Sequence, residues 1–219
     1  MKREKTTVTE NNIIRSYRKR RKEIKKRLSE FEEVWSKGDN LRLWEEMVFC
    51  FFTGGCSAKM GLKSIEAVRP LLMTGDQEEL SRALVGSHRF PNARARYIVA
   101  SREFLVGHCG MRIRDELEKR SHLERRDWLV KEKRIKGLAY KEASHFLRNV
   151  GLKGYAILDK HVLNCLFELK IIDDPKPPKT RRMYLTVEEK LETFADRLKI
   201  DFDEMDLVLW SMKTGEILK

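Results

Sequence analysis

Residues 135–151 read "IKGLAYKEASHFLRNVG", and the fold turns on how this stretch is read. A short apolar–glycine turn, Gly137-Leu138-Ala139, leads at once into a lysine and a helix-forming run. Helix N-termini carry partial positive charge and favour Asp or Glu. Lys141 therefore has the wrong charge for stabilising a helix start, which raises the question of what else it does.

With a polar helical stretch at 112–135 before it, the segment reads as helix, tight turn, helix. The usual hairpin of a helix-hairpin-helix is hydrophobic-x-Gly-hydrophobic-Gly, whose glycines let backbone N–H groups come close to a DNA phosphate. This is an anion nest at a helix N-terminus. Such contacts position DNA without reading sequence. Ile135, Gly137 and Leu138 fit, and Ala139 stands at the second glycine. If that position needs a positive φ, alanine costs about 1 kcal/mol relative to glycine. A plain helix-turn-helix with a glycine turn fits the same residues.

Asp159 lies 18 residues after Lys141, at the start of "KHVLNCLFELKI". The path between them, one helix and a glycine loop, can fold back and bring both side chains to one cleft. A neutral lysine amine is a nucleophile that forms imines with carbonyl-like carbons. A carboxylate beside it can take a proton or stabilise a cationic sugar. The plainer alternatives are a solvated first-turn lysine and an ordinary aspartate N-cap.

Helical periodicity dominates on both sides. Ile14, Tyr17, Ile24, Leu28, Phe31 and Val34 recur at helical steps across 10–36. "LRLWEEMVFCFF" is apolar nearly all round and reads as a central buried helix. Ser57 can cap "AKMGLKSIEAVRPLL", and Asp76 with Glu79 makes a capping-box start. "ARARYIVASREFLVG" is amphipathic. After the proline-bearing "DDPKPPKTRR" come two last helices, "TVEEKLETFADRLKI" and "DEMDLVLWSMKTG". No alternating strand pattern of useful length appears. The expectation is all-α, with about ten helices.

The chain carries a net charge of +12. Residues 1–27 hold twelve Lys and Arg against three Glu, a net of +9, so three quarters of the excess sits at the N-terminus. The run "RSYRKRRKEIKKR" is a polyanion-binding candidate; a solvated basic helix face is the alternative. The four cysteines, Cys50, Cys56, Cys109 and Cys165, form no CxxC pair, which argues against thiolate-held zinc or an iron–sulfur cluster. Cys50 and Cys165 sit in apolar runs and are expected in the core. No apolar run reaches membrane-span length and no signal-peptide core is visible. An intracellular, cytoplasmic protein is expected.

Taken together, "GLAYKEASHFLRNVG…AILDKHVLNCL" resembles the helix-hairpin-helix DNA glycosylase superfamily. More narrowly it resembles the second 8-oxoguanine DNA glycosylase/AP lyase family of archaea and some bacteria, over about Phe31 to Lys219. The resemblance implies double-stranded DNA containing oxidised guanine as partner, with the damaged base flipped into a pocket. Lys141 would attack C1′ and displace the base, Asp159 would assist, and the Schiff base would permit β-elimination. The C-terminal "D-x-x-x-W" helix supplies Asp206 and Trp210. By resemblance Trp210 stacks on the flipped base, and the terminal carboxylate of Lys219 accepts the N7–H that oxidation adds to guanine. Phe90, in "SHRFPNARARY", is the candidate for the opposite wall of the pocket. Arg94 and Arg96, with His88 and Arg89, are candidates for phosphate contacts, as are the backbone groups of Gly137 and Ala139. The "TGGCSAKMG" turn occupies the place where the superfamily fills the gap left in the duplex. No cofactor is expected, no side-chain metal site, and at most a weakly bound monovalent cation on hairpin carbonyls around Gly137.

These expectations combine into a single two-lobed helical bundle spanning 1–219, a monomer, with an interlobe DNA-binding cleft. Residues 1–27 would form a basic helical segment, about 30–110 a first lobe, about 112–170 the hairpin lobe, and 184–219 the helices closing the base pocket. A glycosylase for another damaged base, and a non-catalytic DNA-binding module, are the alternatives.

Overall fold

The computed structural model describes residues 8–218. Lys2, Arg3 and Lys5 of the basic segment, and Lys219 of the expected base pocket, lie outside the described residues. Among those described, the chain forms eleven α-helices and no strand, as the unbroken helical periodicity predicts.

The chain divides into two compact units, Glu32–Leu152 and a second made from the two chain ends, up to Phe31 and from Lys153. The first helix, α1 (Glu10–Lys37), runs through the boundary between them.

The continuous unit is organised by α2 (Asn40–Thr53), buried at every position from Met47 to its end. Asp39 caps it, accepting from Arg42 N at 2.8 Å. A helix that is apolar all round needs neighbours on every side. Here α3 (Ala58–Val68), α5 (Pro91–Cys109), α6 (Ile113–Glu118) and α8 (Tyr140–Asn149) supply them. This is why the helices at 113–149 belong with those at 40–109, whereas the linear reading puts a lobe boundary near 110. A buried polar lock ties α2 to α8: Glu46 Oε1 takes Arg42 Nη2 at 2.6 Å, and Glu46 Oε2 accepts from Asn149 Nδ2 at 3.2 Å. The expected helix at 58–72 stops at Val68 and finishes as a 3₁₀ turn over Arg69–Leu71, because Pro70 offers no N–H to continue the ladder. α4 (Gln77–Leu84) opens with the expected capping box, Asp76 and Glu79 exchanging bonds of 2.8 and 2.9 Å. α7 (His122–Lys131) packs on α8.

The other unit holds the N-terminal part of α1, α9 (Lys160–Glu168), α10 (Arg181–Leu198) and α11 (Phe202–Thr214). Ile13, Ile24 and Phe31 are the buried stripe of α1, and α11 packs on α9 and α10. α10 begins at Arg181, five residues ahead of the expected "TVEEK" start, with Thr180 Oγ1 accepting from Met183 N at 3.2 Å. It opens on two arginines directly after the proline-bearing stretch, so apolar periodicity does not announce its start. Cys50 and Cys165 are fully buried, as expected of small core residues, and all four cysteines are free thiols.

Candidate active site

In the continuous unit the hairpin lies between α7 and α8 and is seated on α5. Ile135 and Leu138 are buried, and Lys136 N donates to Ser101 Oγ at 2.8 Å. Gly137 has φ +79°. A Cβ built there would stand 2.7 Å from Tyr97 Cδ2 and 3.4 Å from Phe51 Cδ1, so only glycine fits. Ala139, in contrast, is extended, with φ −91° and ψ −176°. Alanine carries no backbone penalty there, and the cost conditional on a positive φ does not arise. Ala139 is the N-cap of α8 and no side chain caps the helix. Its leading N–H groups thus form the kind of helix start that accepts an anion.

Lys141 is the second residue of α8. Its side chain is 23% exposed, and Nζ lies 2.9 Å from Glu142 Oε1 and 3.5 Å from Thr53 Oγ1. The acid that a helix start favours is therefore present one residue late, as Glu142, and it holds the amine. A single neighbouring carboxylate leaves the amine reachable. Glu142 was not among the expected site residues, although an acid in the first turn beside an unexplained lysine is a signal. Thr53 opens the "TGGCSAKMG" turn, but nothing in the sequence placed it beside Lys141.

Phe90 precedes α5 and is 43% exposed. Its N–H donates to His88 Nδ1 at 3.0 Å, so His88 carries its proton on Nε2, which donates to Phe52 O at 3.2 Å. Burial holds the His88 imidazole below its ordinary pKa, and the nearby Arg94 charge adds to the effect. The Arg89 guanidinium sits 5.1 Å from the Phe90 ring centroid. An exposed aromatic on a fixed backbone is a stacking surface. Arg96 is exposed, whereas Arg94 is turned inward: Nη2 donates to Gly54 O at 2.5 Å and the guanidinium lies over Tyr97 at 5.2 Å. Arg94 thus braces the turn after α2.

In the other unit, Asp159 is the N-cap of α9. Its Oδ1 accepts from both His161 N (2.8 Å) and Val162 N (2.9 Å), so Oδ2 takes no part in the cap. Trp210 of α11 is half-buried, edge-on to His161 at 6.5 Å between centroids. The segment before Asp159 has no regular structure, and side chains of α10 and α11 hold its backbone. Asp203 accepts from Gly154 N at 2.7 Å, Glu188 from Ala156 N at 3.0 Å, and the buried Asp206 from Ile157 N at 3.0 Å. The Tyr184 hydroxyl accepts from Leu158 N at 3.3 Å and donates to Ala156 O at 2.7 Å. Four of the five residues from Gly154 to Leu158 are thereby clamped, just ahead of the carboxylate that caps α9. Burial pushes the Asp203 carboxyl up to about 6, with Asp201 and Asp206 adding to the rise. Of this clamp only Asp206 was an expected residue. Tyr184, Glu188 and Asp203 carry no sequence signal, because their partners are backbone groups far away in the chain.

Among the described residues, no group of three or more His, Cys, Asp or Glu side chains could hold a metal ion, and no helix is long and apolar enough to cross a membrane.

Residues 24–200 match the family model Ogg-HhH, described as 8-oxoguanine DNA glycosylase. The chain is 38% identical over 212 residues to an 8-oxoguanine DNA glycosylase/AP lyase of Korarchaeum cryptofilum, covering 95% of this chain and 97% of that one. It is 37% identical over 213 residues, with the same coverage, to the protein of that name from Fusobacterium nucleatum. Among solved structures, the Methanocaldococcus jannaschii 8-oxoguanine glycosylase/lyase, crystallised with a 15mer DNA containing 8-oxoguanine, superposes with a TM-score of 0.85. It is 33% identical, and the match covers 94% of this chain and 99% of that one. The 8-oxoguanine DNA glycosylase of Thermotoga maritima superposes with a TM-score of 0.86 at 31% identity, covering 96% and 98%.

Proposed function

The chain belongs to the 8-oxoguanine DNA glycosylase family, and from that premise we propose that it excises 8-oxoguanine from duplex DNA and nicks the strand through a Schiff base on Lys141. The observation that carries this reading is the placement of Lys141, directly after an uncapped hairpin, with its amine held by one carboxylate and partly open to solvent. In the reaction the neutral amine attacks C1′ of the flipped nucleotide. The C1′–N9 bond breaks, and the base departs with the electron pair and takes up a proton. The sugar ring opens to an imine, which acidifies the C2′ proton. Loss of that proton expels the 3′ phosphate.

Asp159 assists through Oδ2, the oxygen its cap bonds leave over, by accepting a proton or by stabilising positive charge on the sugar. Asp206 acts from beneath, by holding the backbone that leads to Asp159. Phe90 and Trp210 offer the two aromatic surfaces suited to a flipped purine. The backbone around Gly137 and Ala139 takes a phosphate, and exposed Arg96 a second. Hairpin peptide oxygens are hard, neutral donors, which suits a weakly held monovalent cation there. A monomer working on the chromosome in the prokaryotic cytoplasm completes the reading.

Borohydride trapping tests it, using duplexes with 8-oxoguanine, normal guanine or an abasic site. A covalent adduct with the 8-oxoguanine duplex, lost in Lys141→Gln while duplex binding persists, is the expected result. An adduct that survives in Lys141→Gln would put the nucleophile elsewhere. An adduct at the abasic site alone would leave a lyase with a different base substrate.

A further inference from the structure

The cations of α1 fall into two sets. Arg20 Nη2 donates to Gly215 O at 3.0 Å, Lys25 Nζ lies 3.9 Å from Glu204 Oε1, Arg27 Nη1 bonds Glu30 at 2.6 Å, and Arg21 lies over Tyr17 at 5.8 Å. These four serve the protein itself. Lys37, at the far end of the helix, pairs with Glu33 at 3.3 Å. The other five, Arg15, Arg18, Lys19, Lys22 and Lys26, are all exposed, and their spacing is i, i+3, i+4, i+7, i+11. At about 100° per residue they fall within an arc of about 100°. The centre of that arc is about 180° from the buried Ile13, Ile24 and Phe31. Between Glu10 and Glu30 no acid lies inside the arc: Glu23 falls outside its edge. The residues matched by the family model begin at 24, so four of the five lie ahead of it.

We infer that this stripe is a second phosphate-binding surface, taking the backbone of duplex DNA outside the damaged nucleotide's own contacts; the inference rests on the proposed action on DNA. From Arg15 to Lys26 the helix rises about 16 Å. Duplex DNA carries one negative charge per about 1.7 Å of axis, so a facing segment presents enough phosphates for every cation of the stripe. A lipid surface would ask for apolar side chains beside the basic ones, and none of this helix's apolar side chains falls inside the arc, with Ile13, Ile24 and Phe31 buried opposite it. Contacts of this kind carry no sequence or damage preference. They lengthen residence on undamaged duplex, where a repair enzyme spends its search.

The test is the salt dependence of binding to an undamaged 30-base-pair duplex. It compares wild type, the triple variant Arg18→Gln, Lys22→Gln, Lys26→Gln, and a control with the same charge loss, Lys170→Gln, Lys179→Gln, Lys190→Gln, at exposed positions outside the stripe. Each phosphate contact contributes about 0.9 to the slope of log K against log salt. The stripe variant should lose about 2.7 of slope and the control less than about 1. Equal losses would reduce the stripe to net charge, and an unchanged slope in the stripe variant would mean it touches no phosphate; either overturns the inference. Release of 8-oxoguanine at saturating enzyme is read in parallel. It should be unchanged in the stripe variant, and its absence in wild type would refute the proposed activity rather than the stripe.

Discussion

Gly137→Ala tests the hairpin at its tightest point. The new methyl would meet Tyr97 Cδ2 at 2.7 Å and Cε2 at 3.2 Å, with Phe51 Cδ1 at 3.4 Å. Neither ring can retreat cheaply: Phe51 is fully buried within α2, and Tyr97 lies under the Arg94 guanidinium. Two costs add. Holding a non-glycine residue at φ +79° costs about 1 kcal/mol. Forcing a methyl into filled space costs about 1–3 kcal/mol. The expected loss is about 2–4 kcal/mol, which for a chain of this size lowers Tm by about 5–12 °C. Urea and thermal unfolding followed by circular dichroism would measure it. A double-mutant cycle with Tyr97→Leu separates the two costs, because trimming the ring relieves the clash and leaves the φ penalty. A coupling of about 1–2 kcal/mol is expected. A loss below about 1 kcal/mol, or strict additivity with Tyr97→Leu, would refute the claim that Tyr97 is what excludes a side chain from this turn.

Two further outcomes concern the clamp before Asp159. Asp203 has a folded pKa of about 6, above its ordinary 3.8, so the folded state holds more protons than the unfolded one between those values. Stability therefore falls as pH rises from about 4 to 6. Asp203→Asn, which keeps an acceptor for Gly154 N–H, should flatten that stretch of the stability–pH curve. It should gain about 1–2 kcal/mol at pH 7, a figure discounted for the solvent the group still sees; a variant with the same slope as wild type would contradict the assignment. Tyr184→Phe removes the hydroxyl that serves both Ala156 O and Leu158 N. It should cost about 1–3 kcal/mol and slow base release while leaving duplex affinity intact, as single-turnover excision and equilibrium binding would show. A variant as stable and as fast as wild type would remove the clamp from the account of Asp159.

How far the chain's order along the sequence carries is clearest from particular residues. Helices declare themselves by local pattern, and so do their starts: Asp76 with Glu79, and Asp159 before α9, are caps that need only a few neighbouring residues. Lys141 was legible because it stands where helix electrostatics disfavours it, and Gly137 because a turn of that pattern calls for glycine. The all-α class and the family resemblance follow from such local features.

What the sequence could not assign was partnership across distance. Arg94 and Arg96 look alike in "NARARY", yet one faces inward to Gly54 O and the other faces solvent. That difference depends on where α2 ends in space. Helices 113–149 join those at 40–109 because α2 is apolar on every side and must be surrounded, a demand with no preference for sequence order. The hold on the segment before Asp159 comes from Tyr184, Glu188, Asp203 and Asp206, 26 to 49 residues downstream of the groups they bind. Backbone amides are identical at every residue, so nothing in the sequence marks which of them a distant carboxylate will meet. The α1 cations divide in the same way. Their number and helical spacing are written in the sequence, but only the packing of α1 against Gly215, Glu204 and its own helix neighbours decides which are spent and which remain to meet a ligand.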